Sequence, residues 1–558
     1  MTRQLLERAV GHHRRGEGGA ARELYRQVLA REPNQPDALH LLGLLSQQEG
    51  DPRRAAELIR RAIARDPRAP EFQRSLAGAL LALDDREGAK QALRTALSLR
   101  PTDHEVALRL GAMLLEGGNP ATALVYLRRA VELRPALAEP RVHLAAAYRR
   151  LERWADAEDA IRSALAHAPD DGTAHLVLGD LLTDIERYAE AETAYRRAVA
   201  LLPDVPETHS NYGRLLERLG RLDESVRAHE RALELDPALA GAHWSYGIAL
   251  LRQGRLREGW GELAWRWRSA DFVAHRYAFR QPEWRGEPLA ERHILAWGEQ
   301  GVGDEIMFAS CIPDLLDTGA RVTLAAAPRL VPLFARSFPA AEVISLGRLE
   351  TEPPASDFHL STGDLPRFFR PSVASFPSRA AYLRADPARV AAWRARLAEL
   401  GPAPTVGISW RSQYMTAGRE RSYTTLDEWA PILAVPGVTF VNLQYDDCAL
   451  ALATARDRHG VEIHAWPDID LKDDFEATAA LISALDLVVT VPNSVGELAG
   501  ALGRPVWRLH RAPGTWTMLG TDRRPWFPSM RVFEANAGDV PGLMAQVAGE
   551  LGRVGPDR

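Results

Sequence analysis

Residues 294–311 read ILAWGEQGVGDEIMFASC, and the rest of the chain is organised around them. The apolar run Ile294-Leu295-Ala296-Trp297 reads as a buried strand. Gly298, Gly301 and Gly303 make a tight turn after it, where missing side chains let backbone come close to a ligand. Asp304-Glu305 then opens an amphipathic helix that carries Ile306, Met307, Phe308 and Cys311. A strand, a glycine turn and a helix start gather free N–H groups and the positive end of a helix dipole around one point, which suits an anion. Asp304 admits two readings. A carboxylate in a first helical turn complements the dipole and needs no further reason. At the mouth of a cleft the same group is a general base.

The chain has 558 residues, 46% of them apolar, and a net charge of −5. That length accommodates three or four domains with sizeable cores. So small a charge gives no bulk attraction to nucleic acid or membrane. Arginine supplies nearly all the positive charge; Lys90 and Lys472 are the lysines. Cys311 and Cys448 fall in no metal-type or disulfide-rich spacing, which suits a reducing cytoplasm. The first residues, MTRQLLERAV, lack the apolar core of a signal peptide. No run reaches the ~18 apolar residues of a membrane span.

The first half is periodic. Pro33, Pro67, Pro101, Pro135, Pro169, Pro203 and Pro237 stand every 34 residues. Gly43, Ala77, Gly111, Ala145, Gly179, Gly213 and Gly247 keep the same step, as do Ala62, Ala96, Ala130, Ala164, Ala198 and Ala232. This pattern resembles the tetratricopeptide repeat (TPR). Small residues let the two helices of each unit approach closely, and the proline ends the second helix. The resemblance implies an all-α superhelix over residues 1–268, about eight helix pairs, with a concave groove that takes a protein partner. The helix positions facing that groove are Leu41, Ser75, Arg109, His143, Val177, Asn211 and Ser245. Trp260, Trp265 and Trp267 read as packing against the next domain rather than as a sugar platform. Residues 269–291 are a turn-rich connector anchored by Trp284.

Strands and helices then alternate. Strands are expected at Ile294–Trp297, Arg321–Ala326, Glu342–Leu346 and Asp357–Leu360, with a helix over Val302–Leu316. After a linker, Gly401-Pro402-Ala403-Pro404, the pattern restarts at Thr405–Trp410, Val438–Gln444, Val461–His464, Asp486–Val491 and Pro505–Leu509. This predicts two Rossmann-like α/β lobes, residues 292–403 and 404–558, facing a cleft. Three places in the second lobe suit a ligand. The first is the end of its first strand, Trp410-Arg411-Ser412, continued by Arg419, Arg421 and Ser422, whose guanidiniums and hydroxyls suit a diphosphate. The second is the helix start at Asn493-Ser494, with Glu497 in its first turn; it is either a plain cap or a phosphate site. The third is Gln444-Tyr445-Asp446-Asp447, placed for base or ribose contacts. Asp468, Asp470, Asp473 and Asp474 read as a solvated acidic loop, and no His/Cys cluster suggests zinc.

The motifs GEQGVGDEIMF, VGISWRS, DFEATAALISALDLVVTV, NSVGELAGALGRPVW and GTDRRPWFPSMRVF resemble bacterial TPR glycosyltransferases. The catalytic half of these is similar to the heptosyltransferases of glycosyltransferase family 9, with the two-lobed GT-B fold. The resemblance implies a metal-independent, inverting transferase without a resident cofactor, acting in the cytoplasm. It would move a sugar from a nucleotide sugar to a protein acceptor, flagellin among the candidates. Gly303-Asp304 matches the family's Gly-Asp, whose aspartate acts as base. Arg421 is the best match to the basic residue that neutralises the donor diphosphate, and Gly301, Gly303, Trp410, Arg411, Ser412, Gln444, Asn493, Ser494 and Glu497 complete the donor side. The family's late motif has Asp-Thr/Ser and then a histidine; Pro492-Asn493-Ser494 and Glu497 stand there instead. The competing expectations are a non-catalytic TPR scaffold with a worn transferase half, and a transferase of surface polysaccharide.

Overall fold

The computed structural model describes residues 2–269, 277–412, 423–511 and 514–553. The chain packs as two units, Met1–Pro203 and Asp204–Arg558. The first unit holds helix pairs from Thr2–Arg14 to Tyr188–Leu201. Its second helices end at Arg31, Arg65, Leu99, Leu133, His167 and Leu201, two residues before each periodic proline. The small residues do what their spacing predicts. A Cβ on Gly43 would lie 2.8 Å from Ile59, one on Gly111 2.6 Å from Leu127, and one on Gly179 2.9 Å from Tyr195. A second period accompanies this one. Gly16, Gly50, Asp84, Gly118, Glu152 and Glu186 all take positive φ in the turn inside each pair.

The second unit begins with two more helix pairs, Pro206–Arg218 with Leu222–Leu235 and Ala240–Arg252 with Leu256–Leu263. The repeat period runs to residue 268, yet these pairs pack with the α/β half. One apolar cluster explains this: Leu251, Leu256, Trp260 and Leu263 share it with Ile294, Ile306, Leu324, Val441, Leu498 and Phe527. Trp260 donates its indole N–H to the Arg370 carbonyl at 2.8 Å and meets Trp516 and Trp526 edge-on. Trp267 leans on Trp297, so Trp260 and Trp267 pack against the α/β half as expected, whereas Trp265 stacks on His243 of the last repeat pair. Trp284 is buried against Phe368, and its backbone N–H donates to the His359 carbonyl at 2.9 Å, docking the connector beside the first lobe.

Both sheets are parallel. The first has the order β3-β2-β1-β4, with β1 His293–Trp297, β2 Arg321–Ala326, β3 Glu342–Ser345 and β4 Phe358–Ser361. The second has the order β10-β9-β8-β5-β6-β7, with β5 Thr405–Ser409, β6 Thr439–Asn442, β7 Ile463–His464, β8 Leu487–Thr490, β9 Val506–His510 and β10 Met530–Glu534. The expected Val302–Leu316 helix is broken: helix Val302–Phe308 passes through a 3-10 turn into Ile312–Leu316, because Pro313 cannot continue the ladder. The helices Ala449–His459 and Val540–Leu551 and the strand β10 were not expected. Among the described residues no helix is long and apolar enough to cross a membrane.

Candidate functional site

In an open parallel sheet the chain diverges to opposite sides between two neighbouring strands, and ligands sit outside the strand ends there. These points lie between β1 and β4 in the first sheet and between β5 and β8 in the second.

At the first, the chain leaves β1 through Gly298. Its N–H donates to the Ala325 carbonyl at 2.8 Å, and a side chain there would strike the Glu305 carboxylate. Glu299 turns inward and is buried. Gln300 takes φ 62°, a region glycine prefers, and Gly301 then starts the helix Val302–Phe308. Asp304 accepts the Gly301 N–H at 3.2 Å, a dipole-favoured contact in the first turn. Its carboxyl is half-buried and pushed up to about 6, first by loss of water, then by the nearby Glu497 and Glu299; the Gly301 N–H and Arg524 oppose this. Glu305 is buried and pushed up to about 7 by loss of water, although it accepts the Ala327 N–H at 2.9 Å.

The second lobe meets this turn directly. A Cβ on Gly303 would lie 3.4 Å from the Glu497 side chain and 3.8 Å from the Ser494 Cα, so here a glycine permits the close approach. Tyr382 and Leu383 lie between the lobes. The Tyr382 hydroxyl donates to the Ile306 carbonyl at 2.7 Å, and both backbone N–H groups donate to the Ala501 carbonyl.

Asn493 caps the helix Ser494–Ala501. Its oxygen accepts from the N–H groups of Val495 and Gly496 at 3.1 and 3.3 Å and from the Thr490 hydroxyl at 3.0 Å. Its amide nitrogen donates to the Ser409 hydroxyl at 2.8 Å and to the Arg411 carbonyl at 3.3 Å. It therefore ties β5 to the helix start across the diverging strands. Ser494 is half-buried at the first helical position. Gln444 is a second tie: its oxygen accepts the N–H groups of Trp410 and Arg411, and its nitrogen donates to the Arg411 carbonyl at 3.1 Å and to Asp446 at 2.8 Å. The Trp410 ring is core. Arg411 is held by Asp446 at 2.8 Å and the Asp447 carbonyl at 3.1 Å, and Ser412 accepts from the Tyr445 hydroxyl at 3.0 Å. Arg421, with Arg419 and Ser422, lies outside the described residues.

Glu497 sits beneath the turn, buried, and binds two arginines. Arg524 donates to both its oxygens at 2.6 and 2.8 Å, and Arg508 to one of them. Burial alone would raise the Glu497 carboxyl; Arg524 and Arg508 hold it below the usual range. Arg524 itself is lowered to about 10 by burial and by Arg508 beside it. Sequence reasoning gave Arg508 and Arg524 no role. The signal was available in Val506-Trp507-Arg508-Leu509-His510, where a charge interrupts a buried strand.

The acidic loop is what it reads as. Arg396 pairs with Asp468 at 2.7 Å, Asp470 accepts two backbone N–H groups of its own turn, and Asp474 caps Phe475–Ala484. Among the described residues no group of three or more His, Cys, Asp or Glu is placed to hold a metal ion.

Residues 46–113, 143–206 and 212–259 match tetratricopeptide repeat models. The chain carries tetratricopeptide repeats. It is also 40% identical over 291 residues to Protein FlbA of Caulobacter vibrioides. That match covers 50% of this chain and 49% of FlbA, so the chain spans about half the length of this relative. Among solved structures it is similar to the APC/C hetero-tetramer Cut9–Hcn1 (15% identity, 48% of this chain and 53% of that one, TM-score 0.37). It is similar also to a tetratricopeptide repeat protein from Parabacteroides merdae (14%, 45% and 98%, TM-score 0.38) and to pilF of Pseudomonas aeruginosa (22%, 36% and 92%, TM-score 0.32).

Proposed function

We propose that the chain is a GT-B glycosyltransferase whose repeats bring a protein acceptor to the cleft between the two α/β lobes. One observation carries this reading. The glycine turn with Asp304, a half-buried acid pushed up to about 6, abuts the start of the Ser494–Ala501 helix from the opposite lobe. A base with such a value is part-ionised near neutral pH and takes a hydroxyl proton well. In the proposed step Asp304 accepts the proton of an acceptor hydroxyl. The freed oxygen attacks the anomeric carbon, and the bond from that carbon to the phosphate oxygen breaks. The nucleotide leaves as an anion toward the helix start at Ser494 and toward Arg411, which must turn from Asp446 to meet it.

The donor is a nucleotide sugar, and the acceptor a protein held by the repeats. The resemblance puts flagellin first among acceptors to test. Co-expression with an acceptor, followed by intact-mass measurement, tests the reading. Wild type adds a sugar mass and Asp304→Asn does not; equal transfer by both removes Asp304 from the base role.

A second reading, a protein-binding scaffold, is favoured by one feature. The side chains of Trp410, Gln444, Asn493 and Glu497 are all engaged in internal contacts. Thermal-shift screening with UDP-, GDP-, ADP- and CMP-sugars separates the two, since a scaffold gives no nucleotide-dependent rise.

A further inference from the structure

The first sheet's diverging point is already occupied, by an arginine from the repeats. Arg266 lies on the short 3-10 segment Ala264–Arg268, which directly continues the last repeat helix, and its side chain is 3% exposed. Its Nε donates to Glu299 at 3.0 Å and one terminal nitrogen donates to the same carboxylate. The other terminal nitrogen donates to Asp364 at 2.8 Å and to the Leu263 carbonyl at 3.1 Å. Glu299 lies just past β1 and Asp364 just past β4, so one guanidinium bridges the two strand ends. Ser361 at the end of β4 adds a hydroxyl to Glu299, and Trp267 donates to the other oxygen of Asp364 at 2.9 Å.

We propose that Arg266 is a positioning residue through which the repeat array holds the turn that presents Asp304. The path is four residues long. Glu299 is fixed by Arg266. Gln300, next to it, is held in a left-handed conformation that non-glycine residues avoid and that persists only when neighbours enforce it. Gly301 comes next, and its N–H is the one Asp304 accepts. Two buried carboxylates without their guanidinium are costly, so loss of Arg266 drives Glu299 outward, lets Gln300 relax and displaces the Gly301 N–H from Asp304. Anything that moves the end of the array moves this turn. The holding of the turn stands on geometry alone; its consequence for transfer rests on the function proposed above.

Hydrogen exchange by mass spectrometry on the full chain tests this. Arg266→Met is expected to speed exchange of peptide 298–305 at least tenfold while peptide 321–326, over β2, stays unchanged. Gln300→Gly alone leaves both unchanged. In the Arg266→Met background Gln300→Gly restores at least half of the lost protection on a logarithmic scale, since glycine takes positive φ without strain. A merely structural arginine gives no such rescue. If Arg266→Met loosens β2 as well, Arg266→Lys decides. It keeps the charge but cannot fork to both carboxylates, and an intermediate, rescuable loosening of 298–305 alone is expected. Unchanged exchange at 298–305, or loosening that Gln300→Gly does not reduce in either background, overturns the proposal. Transfer from a panel of UDP-, GDP-, ADP- and CMP-sugars is measured in parallel. If wild type transfers nothing, the function reading fails while the exchange result still stands.

Discussion

His229 is the residue whose replacement tests the packing argument most sharply. Along the repeats the same inner position is Ile59, Leu93, Leu127, Ile161, Tyr195, His229 and Leu263, all buried. Tyr195 finds a partner in Asp180, at 2.6 Å. His229 is fully buried, and neither ring nitrogen meets a partner among the described residues. The ring lies against Gly213, where a Cβ would come within 2.8 Å of it. Burial first, and Arg214 second, push its pKa down to about 3 from an ordinary 6.5. The folded chain therefore holds a neutral ring while the unfolded chain takes up a proton below 6.5. The stability associated with that neutral ring is intact above 6.5 and is lost as pH falls toward 3. Between pH 7.5 and pH 5 the loss is about 2 kcal/mol, roughly thirtyfold in an opening equilibrium. His229→Leu removes this dependence. It also removes two unpaired polar atoms, for a gain of about 1–3 kcal/mol at pH 7.5. The full chain is not a two-state system, so the measurement is local: exchange protection of helices Pro206–Arg218 and Leu222–Leu235 at each pH. The variant should exceed wild type at pH 7.5, and the margin should widen about thirtyfold at pH 5. A margin that is the same at both pH values, or a variant less protected at pH 7.5, refutes the reasoning.

The same kind of reading gives three further outcomes. If Asp304 is the base, transfer rises with pH through about 6, because the carboxyl must be ionised to accept a proton; a flat pH–rate profile between 5 and 7 contradicts this. Glu152→Gly, at φ 58°, removes left-handed strain of ~1–2 kcal/mol and gives back part of it as unfolded-chain entropy. Slower exchange in the flanking helices of the first unit is the expected sign. Glu497→Gln leaves Arg508 and Arg524 buried without a counter-charge and costs about 3–5 kcal/mol, read as faster hydrogen exchange in the helix Ser494–Ala501. In any active preparation the same change moves the acid limb of the pH–rate profile to lower pH, since Glu497 raises Asp304 and Arg524 lowers it.

The repeats were legible because their information is local and redundant. Gly111 and Leu127 are neighbours in one helix pair, and the same pair of positions recurs at Gly43 and Ile59. The left-handed turns were not legible. Asp84, Glu152 and Glu186 stand where glycine would have advertised the conformation. The strand–turn–helix at 294–308 and the first strands of both sheets were visible as apolar runs between glycines and prolines. The strand Met530–Glu534 was not, since Arg531 and Glu534 interrupt its pattern. The ion clusters were invisible for another reason. Arg266 meets Glu299 33 residues away, and Arg524 meets Glu497 27 residues away. A buried charge looks like a surface charge in sequence until the fold supplies its partner.

That last point bears on the departure at Glu497. Where the heptosyltransferase motif that the sequence resembles has histidine, this chain has an acid, and taken alone the exchange looks like loss of a donor contact. The structure shows that the acid does not stand alone. Arg508 on β9 and Arg524 beyond it converge on its carboxylate, and Arg524 also donates to Met307 of the opposite lobe at 3.2 Å. A histidine at 497 would face two guanidiniums with no counter-charge, so the acid and the two arginines must change as a set. The set has a consequence at the turn above it. Asp304 feels a carboxylate and a guanidinium from one buried group, and their opposing effects leave burial as the force that raises it to about 6. An acid in place of the histidine thus holds two buried arginines of the second lobe and sets a carboxylate and a guanidinium near the Asp304 carboxyl of the first.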